Sequence, residues 1–361
     1  MKKYFKNLGI ILAVLGLSTV PTFAQQKPDD ILSAQIHKQF IDNFIVAKLK
    51  VFNVEAAKFN TATHKTCIAE KLTKQFKATV AAWMPLQSSR FDAFEKNNRS
   101  LRIYFWPNSR GEKQVKKMLL AMDRSKIETS YFGGISVAVQ GLPIVEWLLF
   151  HKDSTLNSGD ISLKTYSCDF LKAISQNIVS LSDALIFEFT QGDNRNALLN
   201  PSAESAIYNE RAEITLQFFK SIHAMVELVH GQKLSRPTGK ELKNLRPKRL
   251  EMWRSGQTKN NLYANINGIY DGYKIFAPLV VAGKNGKLVD VEIRQAFNKT
   301  ILLIDALPND LYAALVGDNK QIIWAQNQVL ITQLTALRRV LEVKATDALG
   351  IPLGFNALDG D

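Results

Sequence analysis

Apolar residues recur in steps of three and four along nearly the whole chain, and that rhythm predicts an all-α protein. Within residues 31–59 the positions Ile41, Ile45, Leu49, Phe52, Ala56 and Phe59 mark one face of a long amphipathic helix, with Lys48, Lys50 and Lys58 off that face. A second helix is expected over 65–85 and a short one over 112–123. Over 135–151 an apolar helix is interrupted by Gly141-Leu142-Pro143-Ile144. Proline lacks an N–H and its ring clashes with the carbonyl four residues back, so this helix should kink or restart there. Leu171, Ile174, Ile178, Leu181 and Leu185 define one face of the next helix, 163–189. Residues 191–201, rich in breakers and polar side chains, read as a linker. Helices over 202–230, 250–270, 288–307 and 308–343 follow, the last with Pro308 in its first turn. Strand-like ambiguity is confined to 278–283 and 287–293. The pattern predicts two helical-bundle domains in series, 25–195 and 196–361.

Residues 1–24 stand outside that pattern. A basic start with Lys2, Lys3 and Lys6, an apolar core and the small-x-small triplet Thr22-Phe23-Ala24 make a secretory signal peptide, too short for a membrane span. Cleavage near Ala24 would lower the formal charge from +13 to +10 and deliver the protein to the periplasm if the cell is bacterial. Export argues against a nucleic-acid partner despite the basic balance; an anionic ligand or peripheral contact with an anionic membrane surface suits it better. An oxidising compartment also turns the two cysteines, Cys67 and Cys168, into an expected disulfide.

Candidate chemistry centres on Glu146, a carboxylate inside an apolar run. Burying it alone would be costly, so it needs an arginine, a metal ion or a proton. Just upstream, residues 99–111 (RSLRIYFWPNSRG) crowd Arg99, Arg102 and Arg110 with Tyr104, Phe105 and Trp106. Arginine stacks on aromatic faces and clamps carboxylates, so the run is either a binding surface that also positions Glu146 or a structural Arg–Glu network. Residues 246–255 (RPKRLEMWRS) have the same character, and a helix there would put Arg249 and Trp253 on one face. His223, Glu227 and His230 fall at i, i+4 and i+7, a spacing that serves a divalent metal or simply a solvated helix edge. At the C-terminus Leu353, Phe355 and Leu358 predict a tail docked on the fold. Phosphate loops, CxxC pairs and recognisable nucleophile–base motifs are absent from the sequence.

Taken together, the FWP-containing run 99–111, the segment 141–150, RPKRLEMWRS and the terminal LGFNALDGD resemble the imelysin-like family of exported bacterial proteins. The resemblance implies two helical bundles with a site near their junction, a link to iron-regulated uptake, and a peptidase label carried by some members. The family signature Gly-x-His-x-x-Glu keeps its spacing here in Gly141 and Glu146, with Pro143 at the histidine position. Half of the implied metal pair is therefore missing. The expectation is a non-enzymatic periplasmic binding protein for iron, another divalent metal or an anionic metal chelate, working with other envelope uptake proteins. Its site would comprise Gly141, Pro143, Glu146, Arg99, Arg102, Trp106, Arg110, Arg249 and Trp253, with Glu146 as the metal ligand. A metal-dependent peptidase and an envelope interaction protein are the alternatives.

Overall fold

The computed structural model describes residues 30–108, 111–128, 132–205 and 207–351, and these form helices and turns with no strand among them. The amphipathic stretch near the start is a run of Asp30–Gln39, a π-helical segment Phe40–Val46, and Ala47–Lys65. Ala47–Lys65 lies against Ala69–Trp83 and the long helix Ile161–Thr190, while Ala69–Trp83 also contacts Leu142–Phe150. These helices build the first bundle. Helices Arg211–Glu227, Thr258–Val281, Gly286–Asp305 and Lys320–Arg339 build the second.

The two bundles share one continuous apolar core. Asp30–Gln39 belongs to the first half by sequence but packs on Arg211–Glu227 and Thr258–Val281. Phe40 stacks on Phe218 with centroids 4.5 Å apart, and Phe91 meets Phe218 at 5.6 Å and Phe189 at 5.7 Å. Gly268 allows a close approach between halves: a Cβ there would fall 2.6 Å from the Pro85 ring, so the turn Met84–Leu86 lies directly on helix Thr258–Val281. Cys67 and Cys168 form the expected disulfide, tying the end of Ala47–Lys65 to Ile161–Thr190.

Several local expectations are corrected. Residues 191–201 are no open linker but contain the helix Asp193–Leu199; Leu198 is buried there, and Arg195 binds Asp42 at 2.7 Å and the Phe189 carbonyl at 2.9 Å. Both strand-ambiguous stretches are largely helical, within Thr258–Val281 and Gly286–Asp305. The expected helix over 308–343 is divided: a short helix Leu311–Val316, capped where the Asp310 carboxylate accepts from Ala313 N–H, is followed by the long helix Lys320–Arg339 and the segment Val340–Ala345. The signal peptide and the C-terminal tail lie outside the described residues.

Candidate functional site

The helix carrying Glu146 restarts where the sequence demands. Gly141 precedes it with φ +80, a conformation costly for other residues, and Pro143 occupies the first turn of Leu142–Phe150. A Cβ on Gly141 would sit 2.5 Å from the Ile103 carbonyl oxygen. Its absence lets residues 102–103 lie against the start of this helix and brings the aromatic run beside it.

Glu146 is buried, at 5% exposure. Its Oε1 accepts two hydrogen bonds from Ser255, from the backbone N–H at 3.0 Å and from Oγ–H at 2.8 Å. Burial pushes its carboxyl above the usual carboxylate range; the Ser255 bonds and the Arg254 charge pull the other way, and the Glu251 charge adds to the rise. The partner is therefore a serine from RPKRLEMWRS. Arg99 instead binds the Ala93 carbonyl at 3.0 Å and Glu188 at 3.3 Å, and Arg102 binds Asn177 at 2.8 Å. Both serve the first bundle, away from Glu146. Arg110 lies outside the described residues.

Residues 246–255 are not the helix that would align Arg249 with Trp253. Pro247–Arg249 is a single 3-10 turn, and Met252 at φ +50 and Gly256 at φ +66 turn the chain tightly. The segment still brings both residues to one place. A cleft of about 390 Å³ is walled by Trp106, Pro107, Asn108, Pro143, Ile144 and Trp147 from the first half, and by Gln232, Arg236, Leu250, Met252 and Trp253 from the second. Glu112, Glu146, Lys248 and Arg249 complete its lining. Gly141 is not part of that wall; its role is the backbone approach beneath it.

The charges of the cleft are unequal. Glu112 is engaged by Arg254, which also stacks on Trp253 with its guanidinium carbon 4.5 Å from the ring centroid. Lys248 Nζ lies 6.0 Å from the same ring. Arg236, Lys248 and Arg249 are exposed and ion-paired to no described residue. A neighbouring recess shares Glu112, Lys248 and Trp253 and adds His151, Lys152, Arg254 and Tyr312. His151 stacks on Trp147 at 5.1 Å, and burial followed by the Arg254 charge lowers its pKa.

Behind the cleft a polar cluster joins the halves. Lys233, with no exposed surface, donates to Gln87 at 2.6 Å, Glu251 at 2.7 Å and Asn265 at 2.5 Å. Glu251 also accepts from Asn261 at 2.9 Å and Gln87 at 3.1 Å. Burial holds the Lys233 pKa below its ordinary value despite the Glu251 charge. The Tyr104 hydroxyl lies by Glu251 and Glu146, and burial followed by these charges raises its pKa well above the usual phenol value. Sequence alone does not single out Ser255, Glu251 and Lys233, nor the cleft cations Arg236 and Lys248. Ser255 and Glu251 stand in a motif whose arginines and tryptophan draw the eye, and Lys233 acquires its partners by folding.

A sequence model of the imelysin family matches residues 45–341. The chain belongs to the imelysin family. Two solved structures share the fold of this imelysin-family protein. An imelysin-like protein from Psychrobacter arcticum 273-4 superposes with a TM-score of 0.74 at 17% identity, covering 91% of this chain and 100% of that one. A putative iron-regulated protein A precursor from Parabacteroides distasonis ATCC 8503 gives a TM-score of 0.73 at 14% identity, covering 90% and 97%. No curated protein matches the chain.

The donors of the cleft do not fit a bare metal ion. Pro143 offers no ligating atom, one oxygen of Glu146 is committed to Ser255, and Glu112 is committed to Arg254. With three cations that ion-pair with no described residue sharing a lining with Trp106, Trp147 and Trp253, the arrangement suits an anionic partner with a flat or apolar face.

Proposed function

We propose that this imelysin-family member is an exported, periplasmic binding protein without peptidase activity, which holds an anionic metal chelate in the cleft between its two bundles and hands it to other envelope uptake proteins. The observation that carries this reading is the lining itself: Arg236, Lys248 and Arg249, ion-paired to no described residue, beside Trp106 and Trp253, with a Glu146 held by Ser255. Guanidinium groups bind carboxylate-bearing ligands through paired hydrogen bonds, and the indole faces cover the apolar remainder. Iron enters the reading from the iron-regulated protein A precursor that shares the fold. The signal-peptide pattern of residues 1–24 supports export. Among the described residues no helix is long and apolar enough to cross a membrane. A metal-dependent peptidase would require a metal with an open position for water, and the donor set of the cleft does not supply its ligands.

Calorimetric titration with ferric citrate, beside iron-free citrate as control, tests the proposal. Saturable ferric citrate binding is expected, weakened about tenfold or more in Arg249→Ala, in line with loss of a charge-assisted hydrogen bond, and weakened also in Trp253→Ala. Binding that neither substitution alters, or no binding, would sink the assignment of this cleft.

A further inference from the structure

A second set of donors lies outside the cleft, on the second bundle's helix Arg211–Glu227 and on the segment Val340–Ala345. The sequence groups His223 with Glu227 and His230. In the fold His223 and Glu227 stay together, whereas His230 turns to Thr335, with Nε2 3.0 Å from its hydroxyl. The π-helical segment Leu228–Ser235 widens the turn beyond Glu227, so the α-helical i+7 relation fails. Glu342, from the π-helical segment Val340–Ala345, takes the place of His230. Among the described residues, ligand atoms of His223, Glu227 and Glu342 all lie within 4.8 Å of one another.

His223 Nε2 faces Glu342 Oε1 at 2.9 Å, a geometry that suits an Nε2–H donating to this carboxylate; in the neutral ring that tautomer has its lone pair on Nδ1. Nδ1 points towards Glu227 Oε2, 3.6 Å away. Both of those atoms are buried and neither has a hydrogen-bond partner, although the His223 side chain is only 6% exposed. Two buried polar atoms facing each other beyond hydrogen-bond range are costly as they stand. They are well placed to share an ion: with metal–ligand bonds of about 2.0–2.2 Å, a separation of this size subtends about 110–130° at the metal, close to the tetrahedral angle.

We propose that His223 Nδ1 and Glu227 Oε2 bind a divalent transition metal, zinc or ferrous iron in class, with Glu342 as the carboxylate that fixes the imidazole tautomer from behind and water completing the coordination. A carboxylate on the far nitrogen of a ligating histidine raises its basicity and holds its plane, which is the role the Glu342 contact fills. Arg338 Nε lies 3.0 Å from Glu342 Oε1. Two carboxylates against that one guanidinium leave the pocket net negative towards a cation. Glu227 itself is 14% exposed and Glu342 32%, so the cluster borders solvent.

Titration of the purified protein with Zn²⁺ by calorimetry, and with Co²⁺ followed by its visible d–d absorption, tests the site. One saturable ion per chain is expected, lost in both His223→Gln and Glu227→Gln and weakened about 10–100-fold in Glu342→Ala, the usual effect of removing such a supporting group. Glu146→Ala should leave it unchanged, which separates this site from the cleft. Glu227→Gln preserves shape at the edge of the cluster, so its thermal unfolding should match wild type in metal-free buffer. Absence of saturable binding in wild type, or equal binding in Glu227→Gln, would overturn the proposal.

Discussion

Glu146 and His37 show two ways of keeping an ionisable side chain inside an apolar core. Glu146 accepts a hydroxyl and an amide of one residue, Ser255, which stands 109 positions further along the chain. His37 has no exposed surface; its Nε2 meets Thr215 Oγ1 at 2.8 Å while Nδ1 has no partner. Burial, with the Arg211 charge behind it, lowers its pKa from 6.5 to about 4. The folded protein thus keeps His37 neutral where the unfolded chain already binds a proton. Stability contributed by the neutral ring is present in full above pH 6.5 and is lost as pH falls towards 4. The loss across that window is on the order of 3 kcal/mol. Denaturant unfolding of wild type and His37→Gln at several pH values checks this: the substitution should flatten the slope between those limits. An equal slope in both would assign the pH dependence elsewhere.

At the scale of elements, the long helices follow the apolar stripes, and each departure has an identifiable physical cause. Asp193–Leu199 is helical because Leu198 has a core to enter and Arg195 finds Asp42 across the fold. Neither is visible in a stretch of polar breakers. The π-helical segments at Phe40–Val46, Leu228–Ser235 and Val340–Ala345 change the register of helices that read as regular from their periodicity. The Cys67–Cys168 bridge joins two elements 101 residues apart, and closing so long a loop restricts the unfolded chain. Its reduction, or Cys67→Ser with Cys168→Ser, should cost about 2–5 kcal/mol. Thermal unfolding with and without reductant measures this; an unchanged midpoint would show that the bridge adds no stability.

For the molecule as a whole, the contact between bundles is a shared apolar core with a charged centre. Lys233 and Glu251 are 0% and 1% exposed and bind one another at 2.7 Å. Desolvation of such a pair offsets much of its attraction, yet removing one partner leaves a buried charge with nothing to balance it. Lys233→Met should therefore destabilise by about 3–5 kcal/mol, and adding Glu251→Gln should recover part of the loss because no net charge remains inside. Equilibrium unfolding of the two variants decides it; a single substitution as stable as wild type would mean that the cluster relaxes to water.

The sequence by itself determined the helical class, most of the helix faces, the restart at Gly141 and Pro143, the pairing of the two cysteines and three of the segments that line the cleft, but not the one that carries Gln232 and Arg236. These follow from signals a few residues long: apolar spacing, the missing proline N–H, and a count of two cysteines. The tertiary structure alone decided that Glu146 rests on Ser255, that Arg99 and Arg102 serve the first bundle, and that His223 meets Glu342 where the helix spacing offers His230. Each of those choices pairs residues far apart in sequence. A polar side chain shows its need for a partner locally, but which partner it receives depends on how the helices pack and where a π turn shifts their register.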